Sequence, residues 1–271
     1  MNISTGVEKI KKRKRFLAFL LSAMVTVYLI GGVLPYTHLF ANDGTPEDSS
    51  AENPVIQNVY ALMASGKEKL LNKDHQGALD DINTAIALSE NDIAELYVLR
   101  GNINASIYRY SSAIHDYTVA LSLDPSLTEI HEIRGHLYYE KKDYENALMD
   151  YDKALQHNPN NREVLLARAN IYISQENYEY ALKDINTLLE LEPENGTLYT
   201  LSGDIHFALG NYGKALDSYI SALDYLPDTE DKEKVYLALG DCSFNLEQYE
   251  NTIEYYSKYL ETADDNEKVD K

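Results

Sequence analysis

The sequence predicts an all-α protein, an α-solenoid of stacked helix pairs. Three observations predict it. First, Tyr144-Glu-Asn-Ala-Leu returns 34 residues later as Tyr178-Glu-Tyr-Ala-Leu and again as Tyr212-Gly-Lys-Ala-Leu, with Tyr110-Ser-Ser-Ala-Ile one step earlier. Second, four of the seven prolines stand at 125, 159, 193 and 227, one per period. Third, small and apolar residues recur at offsets of four and seven, as in Ala147/Tyr151/Ala154 and Ala215/Tyr219/Ala222, which puts them on one helix face. A fixed period of this length marks two-helix units that cannot bury their apolar faces alone.

The chain has 271 residues and a formal net charge of −20, unevenly spread. Residues 1–41 hold six Lys or Arg and one Glu, a balance of +5, which leaves −25 on the rest. Such an acidic body repels phosphate backbones, so nucleic acid is not an expected ligand. Basic or mixed basic and hydrophobic protein segments are the natural partners. The single cysteine, Cys242, rules out an internal disulfide framework and any cysteine-based metal cluster. It falls where a small core residue is expected.

Taken in order, residues 1–15 form a basic segment ending in Lys11, Lys12, Arg13, Lys14 and Arg15. Residues 16–35 follow as a transmembrane anchor or a signal-peptide core. Phe16 to Leu34 is a run of 19 uncharged, mostly apolar residues. As a helix such a run spans roughly 28 Å, close to a hydrocarbon core of about 30 Å. The basic cluster is expected to stay in the cytoplasm, which puts the body across the membrane. A retained single-pass anchor fits the length. Cleavage near Ala41, giving a secreted protein, fits the breakers Gly31, Gly32 and Pro35. Residues 36–56 are polar and acidic with prolines, and read as a flexible linker.

Residues 57–264 read as six units, approximately 59–92, 94–127, 128–161, 162–195, 196–229 and 233–264, with a disordered tail at 265–271. The first helix of most units carries a glycine: Gly66, Gly101, Gly135, Gly203 and Gly240, with Ala169 in the fourth. Mid-helix glycine costs up to about 1 kcal/mol, so its recurrence points to a tight crossing by the neighbouring helix. Tyrosine opens the second helix at Tyr110, Tyr144, Tyr178, Tyr212 and Tyr249. Arg100, Arg134 and Arg168 precede the small residue in units two to four, and the same units carry Asp116, Asp150 and Asp184. Units five and six have neither, with Ser202 and Ser218, then Leu239 and Tyr255. Joint presence and joint absence suggest an ion pair between neighbouring helices. The spacing leaves open whether each Arg meets the Asp of its own unit or of the preceding one. The sixth unit ends on Tyr255, Tyr256, Tyr259 and Leu260 with no obvious capping helix behind it, so self-association through this last repeat is an expectation.

Residues for chemistry are sparse. His131 and His136 are five apart and diverge by about 140° around a helix, so they cannot share a metal on one face. No phosphate-cradling loop and no Gly-x-Ser-x-Gly motif occurs. No catalytic, metal-binding or cofactor-binding residue is assigned, and an enzyme is not expected.

The Tyr-x-x-Ala-Leu openings, the Gly or Ala of the first helices, the aromatic and Ala that follow, and the closing prolines together resemble the tetratricopeptide repeat. With the basic and apolar leader, the chain resembles a bacterial, exported or membrane-anchored member. The resemblance implies a right-handed superhelix of six helix-turn-helix units that binds a peptide or protein segment in a groove lined by first helices. The residues it places there include Asn102, Glu132, His136, Tyr139, Asn170, Asp204, Phe207, Asp241 and Phe244. It implies a protein-protein scaffold or adaptor on the extracytoplasmic side of a membrane. A cleaved peptide-binding carrier or sensor, and a non-catalytic accessory subunit of an envelope enzyme or secretion complex, are the alternatives. The lysines that family members pair with such asparagines to hold chaperone C-termini are missing here.

Overall fold

The computed structural model describes residues 54–227 and 230–269. Among the described residues every regular element is a helix, and the twelve helices form six consecutive pairs. They are α1 (Pro54–Leu71), α2 (His75–Leu88), α3 (Ala94–Ser106), α4 (Tyr110–Leu123), α5 (Glu129–Glu140), α6 (Tyr144–His157), α7 (Arg162–Ser174), α8 (Tyr178–Leu191), α9 (Gly196–Ala208), α10 (Tyr212–Tyr225), α11 (Glu230–Asn245) and α12 (Tyr249–Val269). They fall into two compact units divided after Pro159. The first holds α1–α6 and the second α7–α12.

The five tyrosines expected to open second helices are the first residues of α4, α6, α8, α10 and α12. Each array proline stands two residues beyond a helix end, where a residue that cannot continue a helix is tolerated. The turn inside every pair needs one residue in the left-handed region two places before the second helix. Only one pair uses glycine there, Gly210; the others hold Lys73, Tyr108, Lys142, Glu176 and Glu247 at φ of about 60°. Side chains close several helix starts. Asp74 accepts from the Gly77 amide at 3.0 Å, and Asn161 and Asn195 accept from the Val164 and Leu198 amides at 3.2 Å.

Both ends of the array differ from the sequence expectation. α1 begins at Pro54, inside the segment read as linker, because proline is well suited to the first helical position. α12 runs to Val269, through most of the segment read as a tail. Its last residues, Ala263-Asp-Asp-Asn-Glu-Lys-Val269, include the helix formers Ala, Glu and Lys. The apolar run at 16–34 lies outside the described residues. Among the described residues no helix is long and apolar enough to cross a membrane.

The core follows the pairs. In the first unit, Ala78, Ile82 and Ala85 of α2 pack with Val59 and Met63 of α1 and with Leu96, Leu99 and Ile103 of α3. Ala113, Tyr117 and Ala120 of α4 pack in the same way with Val98 of α3 and with Ile130 and Leu137 of α5. In the second unit, Ala215, Tyr219 and Ala222 of α10 meet Val235, Ala238, Leu239 and Cys242 of α11. Within the units, α2, α4 and α10 are therefore each held between the first helix of their own pair and the first helix of the next, which is how a repeat array seals its apolar faces.

Candidate functional site

The candidate groove residues sit on first helices, beside the contacts that tie each first helix to its own second helix. Those contacts have a fixed register. The small residue of the first helix lies against the residue sixteen places on. A Cβ added to Gly101 would stand 2.6 Å from the Tyr117 ring, one on Gly135 2.9 Å from Tyr151, and one on Gly203 2.6 Å from Tyr219. Gly240 faces Tyr256 still more tightly. In the fourth pair the partner is Ile185, and there alone Ala169 replaces glycine, both fully buried. In four pairs the glycine thus clears room for a tyrosine ring, and in the first pair Gly66 faces Ile82, 2.6 Å from where a Cβ would stand.

The residue after the glycine receives that ring's hydroxyl. Tyr117 donates to Asn102 Oδ1 at 2.7 Å, Tyr219 to Asp204 Oδ1 at 2.5 Å and Tyr256 to Asp241 Oδ1 at 2.8 Å. Tyr151 Oη lies 2.8 Å from His136 Nδ1. Burial lowers the His136 pKa to about 4, and burial pushes Tyr151 well above its ordinary value. Both are therefore neutral near pH 7, and the phenol donates to the ring nitrogen. Ile185 has no hydroxyl to offer, and in that pair Asn170 Oδ1 is buried without a hydrogen-bond partner.

The residue before the glycine carries the ion pair, and the structure resolves its partner. Arg100, Arg134 and Arg168 bind Asp116, Asp150 and Asp184 of their own pairs. Each guanidinium grips its carboxylate through Nε and Nη2, at 2.7 to 3.2 Å for Arg100, 2.8 Å for Arg134 and 2.6 to 2.9 Å for Arg168. Two of the arginines also reach back to the preceding second helix. Arg100 Nη1 donates to Asn83 Oδ1 at 3.1 Å and Arg134 Nη1 to Thr118 Oγ1 at 2.8 Å. Asp81 is unavailable to Arg100 because Ser65 and Lys69 of its own pair bind it at 2.6 and 2.7 Å. The fifth pair puts Ser202 and Ser218 in this register, 3.3 Å apart.

The nine groove candidates divide accordingly. In the first unit Asn102 is buried, while Glu132, His136 and Tyr139 are half-buried on α5. Glu132 Oε1 and His136 Nε2 lie 3.9 Å apart, one turn from each other. Tyr139 packs at a tilt on Tyr144, ring centroids 5.8 Å apart. Burial, with the nearby Tyr144 and Glu140, raises its pKa to about 12. In the second unit Asn170 is 6% exposed. Asp204, Phe207 and Asp241 are half-buried and Phe244 is exposed. Phe207 and Phe244 meet Tyr212 and Tyr249 edge-on, at 5.2 and 6.4 Å. The residues at the position after the small residue thus face the core tyrosine. That role is legible in the sequence as a fifteen-residue offset between a polar side chain and a tyrosine. Among the described residues, no three His, Cys, Asp or Glu side chains are grouped to hold a metal ion.

Comparison with known proteins agrees with this geometry. Tetratricopeptide-repeat family models match residues 129–161, 166–231 and 233–266. Among solved structures, a tetratricopeptide repeat protein from Parabacteroides merdae is 22% identical, with a TM-score of 0.56, over 76% of this chain and 80% of that one. MamA from Desulfovibrio magneticus is 16% identical, with a TM-score of 0.53, over 62% of this chain and 94% of that one. A further MamA structure is 17% identical, with a TM-score of 0.56, over 65% and 94%. At these identities the likeness is one of fold. No curated protein matches the chain significantly. The helix pairs spanning 129–161, 166–231 and 233–266 are tetratricopeptide repeats.

Proposed function

We propose that this chain is a membrane-tethered scaffold whose helix pairs hold a peptide or protein segment on the extracytoplasmic side. The observation that carries the reading is the pairing of a repeat body with a leader of six Lys or Arg and 19 uncharged residues. The leader anchors the chain with its N-terminus in the cytoplasm, which puts the repeat body on the outer side. Its ligand is an extended or helical segment with basic and hydrophobic side chains, suited to an acidic, aromatic surface. The contact residues are Glu132, His136 and Tyr139 in the first unit and Asp204, Phe207, Asp241 and Phe244 in the second. Asn102 and Asn170 support them from beneath. The chain catalyses nothing itself, and a role as the holding subunit of an envelope enzyme or secretion complex is one form of the same reading.

Photocrosslinking residues installed at Tyr139 and Phe244 of the full chain, in intact cells, test the surface. The expected result is a discrete crosslinked protein that resists alkaline extraction of membranes along with this chain. Crosslinks confined to cytoplasmic proteins would defeat the placement. A second reading, a cleaved and released peptide carrier, draws on Gly31, Gly32, Pro35 and Ala41. Mass spectrometry of the mature N-terminus separates the two, since a start near Asn42 removes the anchor.

A further inference from the structure

Among the described residues, no helix packs on the outer face of the last one. In three joints inside the units, the second helix carries apolar residues four and eleven places after its first residue, in a core cluster shared with the first helix that follows. They are Leu79 and Ile86 on α2, Ile114 and Leu121 on α4, and Leu216 and Leu223 on α10. The same positions on α12 are Ile253 and Leu260, which are 68% and 64% exposed.

The occupied joints specify what fits. The arriving helix places apolar residues at i, i+3 and i+7: Leu96/Leu99/Ile103, Ile130/Ile133/Leu137, Leu198/Leu201/Ile205 and Val235/Ala238/Cys242. Two add an arginine at i+4, Arg100 and Arg134, that reaches an amide or hydroxyl eight places along the receiving helix. On α12 that place is Ser257, which is exposed. α5 also adds a lysine at i+11, Lys141, whose Nζ lies 2.8 Å from Ser111 Oγ, one place along α4. On α12 that place is Glu250, an exposed carboxylate on the same edge as the exposed Glu254 and Glu261. Lys258 offsets only Glu254, at 2.7 Å.

Neither α1 nor residues 1–53 carry this pattern. On and just past α1 the i, i+3, i+4, i+7 and i+11 positions are Ala61, Ala64, Ser65, Glu68 and Asn72, without the basic residues or the full apolar set. Two copies of α12 face to face would set like carboxylates together. In residues 1–53 the last basic residue is Arg15, and no apolar i, i+3, i+7 set with a basic i+4 occurs there.

We propose that the outer face of α12 docks an amphipathic helix of a partner protein, with apolar residues at i, i+3 and i+7, Arg at i+4 and Lys or Arg at i+11. This surface is separate from the groove residues, and its failure would leave the groove reading intact. The probe is a labelled peptide of residues 128–142, which has the full pattern, stapled between positions 132 and 136 on its outer side. The receptor is the full chain in detergent micelles. The expected result is saturable binding that Ile253→Asp weakens by about tenfold or more, as a charge set into an apolar joint should. Glu250→Lys should also weaken it, and a Lys141→Glu peptide should recover binding to that variant. Binding indifferent to Ile253→Asp, or a Glu250→Lys defect that the reversed peptide does not relieve, overturns the proposal. So does a full-length dimer in sedimentation that Ile253→Asp dissociates, since the face would then belong to a second copy. Circular dichroism checks that both variants, altered at exposed positions, remain folded.

Discussion

One missing methyl group sets the packing of five of the six described pairs. Gly203 lies under the Tyr219 ring, and a Cβ there would stand 2.6 Å from it. Because Tyr219 is fully buried, its ring cannot swing away. Gly203→Ala is expected to destabilise the protein by about 1–3 kcal/mol, read from the urea midpoint. Adding Tyr219→Ile recreates the Ala169/Ile185 pair and should recover part of the loss, an interaction that a double-mutant cycle measures. Strict additivity of the two changes would refute the register.

His136 makes a second prediction at this scale. Its folded pKa of about 4, lowered by burial, lies below an unfolded value of about 6.5. The folded state thus favours the neutral ring. The stability this contributes is full above pH 6.5 and is lost as pH falls toward 4, by about 3 kcal/mol. Glu132 is 3.9 Å away and Asp150 lies in the same pair, bound to Arg134 and His131. His136→Asn keeps an acceptor for Tyr151, as Asn102 does for Tyr117. Unfolding free energies at several pH values should show the variant losing less stability between pH 7 and pH 4. Parallel curves would count against a buried neutral histidine.

At the scale of the helix pair, the buried ion pairs fix how two helices meet. Asp184 has a side chain 2% exposed, gripped by Arg168. Arg168→Ala strips it of both guanidinium bonds and should cost about 3–5 kcal/mol, the penalty of a stranded buried charge. Replacing both residues by serine copies the Ser202/Ser218 contact of the fifth pair and should cost markedly less. Urea titrations of the single and double variants decide this. A double variant no better than the single would mean that the carboxylate is not what the arginine serves.

At the scale of the whole molecule, the described helices fall into two compact units with three pairs each. Three stacked pairs are about the least that sustains a repeat core. A fragment of residues 160–271 is therefore expected to keep helical circular dichroism and a cooperative urea transition by itself. A non-cooperative, largely unfolded fragment would show that the unit is not self-sufficient. The two ends also differ in kind. α1 turns Ala61, Ala64 and Glu68 to solvent, whereas α12 turns out Ile253 and Leu260. The first lacks the apolar set of an internal first helix, and the second keeps the apolar set of an internal second helix.

By itself the sequence determined the helices, their order and most of their ends. Periodicity at 34 residues, prolines at fixed phase and apolar offsets of four and seven are local signals, and local signals survive without knowledge of neighbours. It also pointed to an ion pair between Arg and Asp, through their shared presence and absence. It could not choose the partner, because in a periodic chain the Asp sixteen residues ahead and the one eighteen or nineteen behind are equally regular. Only the tertiary structure chose, by bringing Arg100 to Asp116 while Ser65 and Lys69 hold Asp81. It likewise buried Asn102 and Asn170 where a groove surface was expected, and placed the division between units after Pro159, where the repeat signal runs on unchanged. Those outcomes depend on which side chains end up facing one another across packed helices, a matter of distance in space that spacing along the chain does not contain.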